Sequence, residues 1–388
     1  MIGISKLYCG AAGPGDVLRY GPAGKKPVVV WNCTGQCNLR CMHCYSQSTD
    51  SRGADELTTR EGLSLLEDLA DFGCPVVLFS GGEPLLRTDL MELIGHARQF
   101  GLRTVVSTNG TGLTPAVAEE FRRAGLNYAG VSLDGMARTN DLFRGVEGAF
   151  ELALAGIRNC LRAGVKAGLR FTITRRNADE ASAIFDLVRR ESIPRLCFYH
   201  LVYAGRGAAI MEDDLDHPAA RRVMDLIIDR TAALHAQGIP TEVLTVDNHA
   251  DGPYVYLRML REGNPRAADV AGLLRMNGGN SSGRGIGCVG PSGEVNPDQF
   301  WRHVSLGNVR QRRFSRIWAD TSHPLMARLK DKRPFVKGRC AACRFLDLCG
   351  GNLRVRAEAA TGDLWAPDPA CYLSDEEIAG DAVTPQPA

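Results

Sequence analysis

The chain has 388 residues, 44% of them hydrophobic, enough to bury one large core and a smaller second one. Its 46 basic and 44 acidic side chains leave a formal charge of only +2 and are interleaved along the sequence, which speaks against a nucleic-acid or membrane-surface protein. No stretch approaches the roughly eighteen consecutive apolar residues of a membrane span, and the thirteen cysteines, an odd number set mostly in short clusters, suit metal binding in a reducing cytoplasm better than disulfide stapling.

Residues 1–26 read as an N-terminal segment rich in Gly and Pro, with no apolar leader. Pro27-Val28-Val29-Val30-Trp31 then reads as a buried strand, and a cysteine loop leaves from its C-terminal end. Thr58 and Glu61 form a capping box that opens a helix with Leu63, Leu66 and Leu69 on one face. Further strands are expected at 76–79, 104–107, 129–133, 169–173 and 196–201. Helices are expected near 89–100, from Thr114-Pro115, and at 148–163, 179–190 and 218–236. Six β/α repeats over 27–247 imply parallel strands with functional loops at their C-terminal ends. The pattern fits a partial barrel and an open doubly wound sheet alike. Residues 248–283 read as a linker whose run from Asn277 to Gly283 is a flexible loop; 284–376 form a cysteine-rich domain and 377–388 a disordered tail.

Cys37, Cys41 and Cys44 supply three thiolates, whereas a [4Fe–4S] cube is normally held by four. Three leave one iron open to a ligand that is not protein. A zinc knuckle would pair such a loop with a second C-x2-C or a His pair, and none lies nearby. His43, between two of these cysteines, is expected to face solvent, because a filled fourth position would close the iron. One strand later come Gly81-Gly82-Glu83-Pro84, where the glycine pair admits a close backbone approach and the carboxylate can receive an ammonium. Ser107-Thr108-Asn109-Gly110 and Ser132-Leu133-Asp134-Gly135 end later strands with hydrogen-bonding groups; each also fits a local Asx or Ser/Thr turn. Cys340, Cys343, Cys349 and the distant Cys371 complete four thiolates, the number that fills a whole cluster, and the same four suit zinc. Cys33, Cys74, Cys160 and Cys197 lie in apolar elements as buried thiols.

The C-x3-C-x2-C run before Tyr45, together with G-G-E-P, resembles the radical S-adenosylmethionine (SAM) enzymes. The later cysteines resemble the auxiliary-cluster region of their SPASM and twitch subfamilies. The resemblance implies an α/β (β/α)6 partial barrel with a C-terminal SPASM/twitch-like iron–sulfur domain. It implies SAM and two [4Fe–4S] clusters, one on Cys37, Cys41 and Cys44 and one on Cys340, Cys343, Cys349 and Cys371. SAM contacts carried over from the family fall on Gly81, Gly82, Glu83 and Pro84, on Thr108 and Asn109, on Ser132 and Asp134, and on Arg170, with Thr172 and 203–207 nearby. The full two-cluster SPASM pattern is not met: Asp298 and Leu353 stand where further cysteines belong, which makes Cys288 a free thiol or a replacement ligand.

The sequence running into the loop and the Ser80–Leu85 context resemble the NirJ-type enzymes of heme d1 biosynthesis. That likeness implies a tetrapyrrole substrate, 12,18-didecarboxysiroheme, losing two propionate side chains through a 5′-deoxyadenosyl radical, with an external one-electron donor such as flavodoxin or ferredoxin. Relatives that act on coproheme propionates or siroheme acetates, and peptide-modifying SPASM maturases, share the architecture. An iron–sulfur carrier or sensor has no use for the open-site loop plus G-G-E-P. Arg175, Arg176, Arg206, Arg284 and Arg302 are candidate partners for substrate carboxylates, each equally readable as surface charge.

Overall fold

The computed structural model describes residues 1–11 and 26–380. The chain opens with β1 (Ile2–Gly3) and α1 (Ile4–Leu7). The expected β/α units follow in order: β2 (Val28–Thr34) with α2 (Thr59–Asp71), β3 (Val76–Gly81) with α3 (Leu90–Gln99), and β4 (Arg103–Thr108) with α4 (Pro115–Ala124). Next come β5 (Tyr128–Ser132) with α5 (Ala137–Arg144) and α6 (Ala149–Arg162), β6 (Ala167–Ile173) with α7 (Ala181–Arg190), and β7 (Arg195–His200) with α8 (His217–Ala236).

These elements form where local chemistry asks for them. The apolar β2 is buried along nearly its whole length, as a central parallel strand must be. Thr58 and Glu61 make the capping box of α2, whose core-facing side buries Leu65, Leu66 and Leu69, with Leu63 half-buried against the same core. Thr114 caps α4 ahead of Pro115, and the helix stops at Gly125 with φ 80°.

The sheet order is β1-β8-β7-β6-β5-β4-β3-β2-β9-β10-β11, where β8 is Glu242–Val246, β9 Ile286–Val289, β10 Glu294–Asn296 and β11 Gly307–Asn308. Strands β2 to β8 lie side by side in chain order, all parallel. A doubly wound sheet would reverse direction at a switch point; this one does not. Side chains from β2 through β7, with Asp247 just after β8, line one common cavity, so the sheet curls into a partial barrel.

Three expectations need correcting. The supposed linker 248–283 holds α9 (Asp251–Arg261) and α10 (Ala267–Asn277), which bury Tyr254, Leu257, Val270 and Leu274 against the core. The glycine-rich run after α10 is packed, with Asn280 and Ser282 buried. The tail reading fails at its start, because Asp375–Ala379 form a capped helix whose Glu377 pairs with Arg221 of α8 at 2.8 Å; the rest, 381–388, lies outside the described residues. Among the described residues, the helices beyond the sheet are α11 (Phe314–Ala319), α12 (Pro324–Lys330), α13 (Gly338–Ala341), α14 (Leu346–Cys349), α15 (Arg354–Thr361) and α16 (Asp375–Ala379). Among the described residues no helix is long and apolar enough to cross a membrane.

Candidate active site

The cysteine loop has no regular structure of its own and is held in shape from outside. Its backbone is pinned by Cys37 N to Thr49 O (2.6 Å), by Arg40 N to Arg144 O (3.1 Å) and by Met42 N to Phe143 O (3.0 Å). Arg206 donates to the carbonyls of Cys41 (2.8 Å) and Ser48 (3.0 Å), and Arg302 donates to that of Ser46. Two of the arginines expected at the substrate thus brace the loop. Arg175, Arg176 and Arg284 do not line the cavity, and Arg176 is paired with Asp213.

All three cysteines face that cavity. Leu39 N (3.4 Å) and Asn109 Nδ2 (3.9 Å) donate to Cys37 Sγ, and Arg144 Nη1 (3.6 Å) donates to Cys41 Sγ. The hydroxyls of Ser46 and Ser48 lie 3.2 and 3.5 Å from Cys44 Sγ. Every polar group bonded to the three sulfurs is a donor or a hydroxyl, the surroundings that an anionic iron–sulfur group requires. Burial pushes the Cys37 and Cys41 thiols up, whereas at Cys44 the serine hydrogen bonds outweigh burial and bring the thiol down.

Gly81 and Gly82 close the loop against β3. A Cβ on Gly82 would stand 2.0 Å from Gln36 O, and Gly81 sits at φ 115°, so no larger residue fits where Gly82 N reaches Thr34 O at 2.8 Å. Glu83 is buried behind them. Its carboxylate accepts from Thr108 Oγ1 (2.7 Å), Asn109 N (2.7 Å) and Leu85 N (3.1 Å), yet burial still raises its pKa. Gly81, Gly82, Thr108, Asn109, Ser132 and Arg170 line the cavity; Glu83, Pro84 and Asp134 do not.

Asp134 is the clearest departure. Instead of facing the SAM cavity, as the family resemblance implies, it is fully buried and accepts from Thr172 N at 2.7 Å, while its other oxygen is paired with Arg144 and, at 3.1 Å, with His43. Burial alone would raise this acid, but the Arg144 guanidinium, helped by the contacts with His43 and Thr172 N, holds it at about 2. His43 accordingly turns inward, against the expectation of a solvent-facing ring. Arg144 and Tyr199 carry no motif, although Arg144 touches a cysteine directly, whereas Tyr45 is the aromatic residue that ends the C-x3-C-x2-C run. Tyr45 bridges Asn32 (3.0 Å) and Ser80 (2.9 Å), and Tyr199 accepts from Arg170 Nε at 2.9 Å.

The second cysteine group is brought together by short helices: Cys340 lies in α13, Cys349 ends α14, Cys343 falls between them and Cys371 follows α15. Burial, reinforced by the neighbouring Cys371, Cys340 and Cys343, drives the Cys349 thiol well above its ordinary value. Among the described residues no three His, Cys, Asp or Glu side chains converge as one metal ion requires; a cube spreads its thiolates over separate irons. Cys288 stands apart on β9, fully buried, accepting from Asn32 Nδ2 at 3.5 Å. A buried chain joins the two regions: His200, on the cavity wall, meets Asp251 at 3.0 Å, and Tyr372 OH, beside Cys371, donates to Asp251 at 2.6 Å.

Comparison with known proteins agrees with this geometry. Residues 31–188 match the family model described as the Radical SAM superfamily. The chain is similar to Fe-coproporphyrin III synthase of Methanosarcina barkeri, with 56% identity over 97% of this chain and 99% of that protein. It is similar to pre-heme d1 synthase of Dinoroseobacter shibae at 44% identity over 91% and 87%. In fold it resembles Streptococcus suis SuiB bound to its precursor peptide SuiA, at 17% identity and a TM-score of 0.72, over 90% of this chain and 77% of that one.

Proposed function

Since the chain belongs to the radical SAM superfamily, we propose that it acts in heme biosynthesis, removing acetate side chains from a siroheme-type tetrapyrrole to leave Fe-coproporphyrin III. The observation that carries this reading is the 56% identity, from end to end, with an Fe-coproporphyrin III synthase. A second reading, removal of two propionates from 12,18-didecarboxysiroheme on the way to heme d1, is favoured by the 44% identity with pre-heme d1 synthase.

In this proposal Cys37, Cys41 and Cys44 hold a [4Fe–4S] cluster, with SAM on its open iron. Bound there, the pair supplies a carbon radical able to take hydrogen from an unactivated carbon. The protein's own part is to place and shield. Gly81 and Gly82 present backbone to the methionyl end of SAM, while Thr108, Asn109 and Ser132 offer hydrogen bonds along the strand ends. Arg170, its guanidinium stacked 4.6 Å from the Tyr199 ring centroid, is a permanent cation at the middle of the barrel for a carboxylate. Cys340, Cys343, Cys349 and Cys371 hold the auxiliary cluster, and a cytoplasmic flavodoxin or ferredoxin delivers electrons.

The test is product identity. Reconstituted enzyme, incubated anaerobically with SAM, reductant and 12,18-didecarboxysiroheme, is expected to give Fe-coproporphyrin III by mass spectrometry. Pre-heme d1 as the product would move the assignment to the second reading, and no turnover of either kind would overturn both.

A further inference from the structure

The chamber at the strand ends is lined by the three cysteines and by the residues proposed to hold SAM, which leaves the macrocycle to be seated beside it. A second cleft of about 570 Å³ adjoins it, within the range of small-molecule sites. The two share Tyr45 and Phe300, whose rings meet edge to face with centroids 5.3 Å apart and planes at 80°.

Four segments build the cleft: the cysteine loop, the loop after β7, the loop after β10, and α15. Ala204, Gly205, Ala208 and Ala359 give it a shallow wall without projecting side chains, and Tyr203 and Phe300 add aromatic surface. Arg302 supplies positive charge at one side, next to His303 and Glu358. His303 is paired with Glu358 at 3.0 Å, but among the described residues Arg302 has no carboxylate partner and spends one arm on the Ser46 carbonyl. Gln47 projects at the rim from a left-handed backbone (φ 51°), a conformation a residue with a side chain holds only where its surroundings enforce it. The α15 wall is rigid, because Arg356 on its buried side bonds Asp368 (2.9 Å), Leu201 O (2.8 Å) and Asp247 O (2.6 Å).

A shallow apolar wall with aromatic edges and one unpaired guanidinium matches a flat, amphipathic ring with anionic arms. We propose that this cleft seats the plane of an iron tetrapyrrole, one peripheral carboxylate on Arg302, with the Tyr45–Phe300 pair as the threshold across which the side chain to be removed enters the chamber. The assignment rests on the heme-pathway reading given above.

Anaerobic absorption titration of the reconstituted enzyme with Fe-coproporphyrin III tests it. Ala359→Trp, at an exposed helix position, and Ala208→Trp, on the facing loop, fill the cleft; Leu152→Trp, on exposed α6 surface, is the control. The parent and Leu152→Trp bind alike, whereas both cleft variants, with iron content and circular dichroism retained, bind about tenfold more weakly or worse. Undiminished binding in both cleft variants overturns the placement while leaving the pathway reading intact. Absence of binding by the parent overturns the pathway reading, and the placement with it.

Discussion

Arg144 joins two tasks far apart in sequence: it donates to Cys41 Sγ and neutralises the buried Asp134. Neither contact shows in motif spacing, since both depend on α5 folding back over the cysteine loop. Arg144→Ala leaves a buried carboxylate without its main cation, and anaerobic urea unfolding is expected to show a loss of about 3–5 kcal/mol. Iron retained at the first cluster should fall in parallel. Asp298, standing where a SPASM cysteine belongs, behaves in the opposite sense. Burial outweighs the donors Ser282 and Phe300 and raises its carboxyl to about 6, so the stability it contributes is full below about pH 4 and is lost as the pH rises through 6. Asp298→Asn removes that loss and should be more stable than the parent by roughly 1–3 kcal/mol above pH 6, with little difference near pH 4. Parallel pH profiles of the two proteins would contradict this.

Among the elements, β2 was legible because a strand buried on both faces reads as a continuous apolar run, and α2 and α4 because Thr58, Glu61, Thr114 and Pro115 mark their starts. Strand β8 was not: Glu242–Val246 is five residues long, mixes Glu and Thr with Val and Leu, and is defined by β7 on one side and β1 on the other. The glycines of the 277–283 run misled for a physical reason. Glycine signals flexibility and close approach alike, and only the fold tells them apart. A Cβ on Gly279 would stand 2.0 Å from the carbonyl carbon of Cys349, and the residue sits at φ 65°, so this glycine serves close approach. Gly279→Ala should therefore displace Cys349. Iron per chain is expected to fall from about eight to about four, with the Cys37–Cys44 cluster spectroscopically unchanged. The candidate site divides in the same way: Cys37, Cys41, Cys44, Gly81 and Gly82 were readable from motifs, whereas His43, Arg206 and Tyr199 owe their places to tertiary contacts.

At the scale of the whole molecule, the cysteine-rich region is continuous with the barrel. Strand β9 extends the sheet beside β2, and Arg356 of α15, fully buried with Asp368, bonds the loops after β7 and β8. Arg356→Met alone should cost about 3–5 kcal/mol, because Asp368 stays buried and uncompensated, and the double change with Asp368→Leu should recover part of it. Equal losses in the single and double variants would show that the ion pair is not what joins the two regions. The arrangement puts an auxiliary cysteine group behind one wall of the chamber and the three-cysteine loop in front of it. The central claim is that the front cluster keeps one iron free of protein for SAM. Electron–nuclear double resonance on the reduced enzyme, with SAM labelled at its amino nitrogen, tests it most directly: the account predicts coupling of that nitrogen to the cluster. A cluster coupled to histidine nitrogen, with no coupling to labelled SAM, would contradict it.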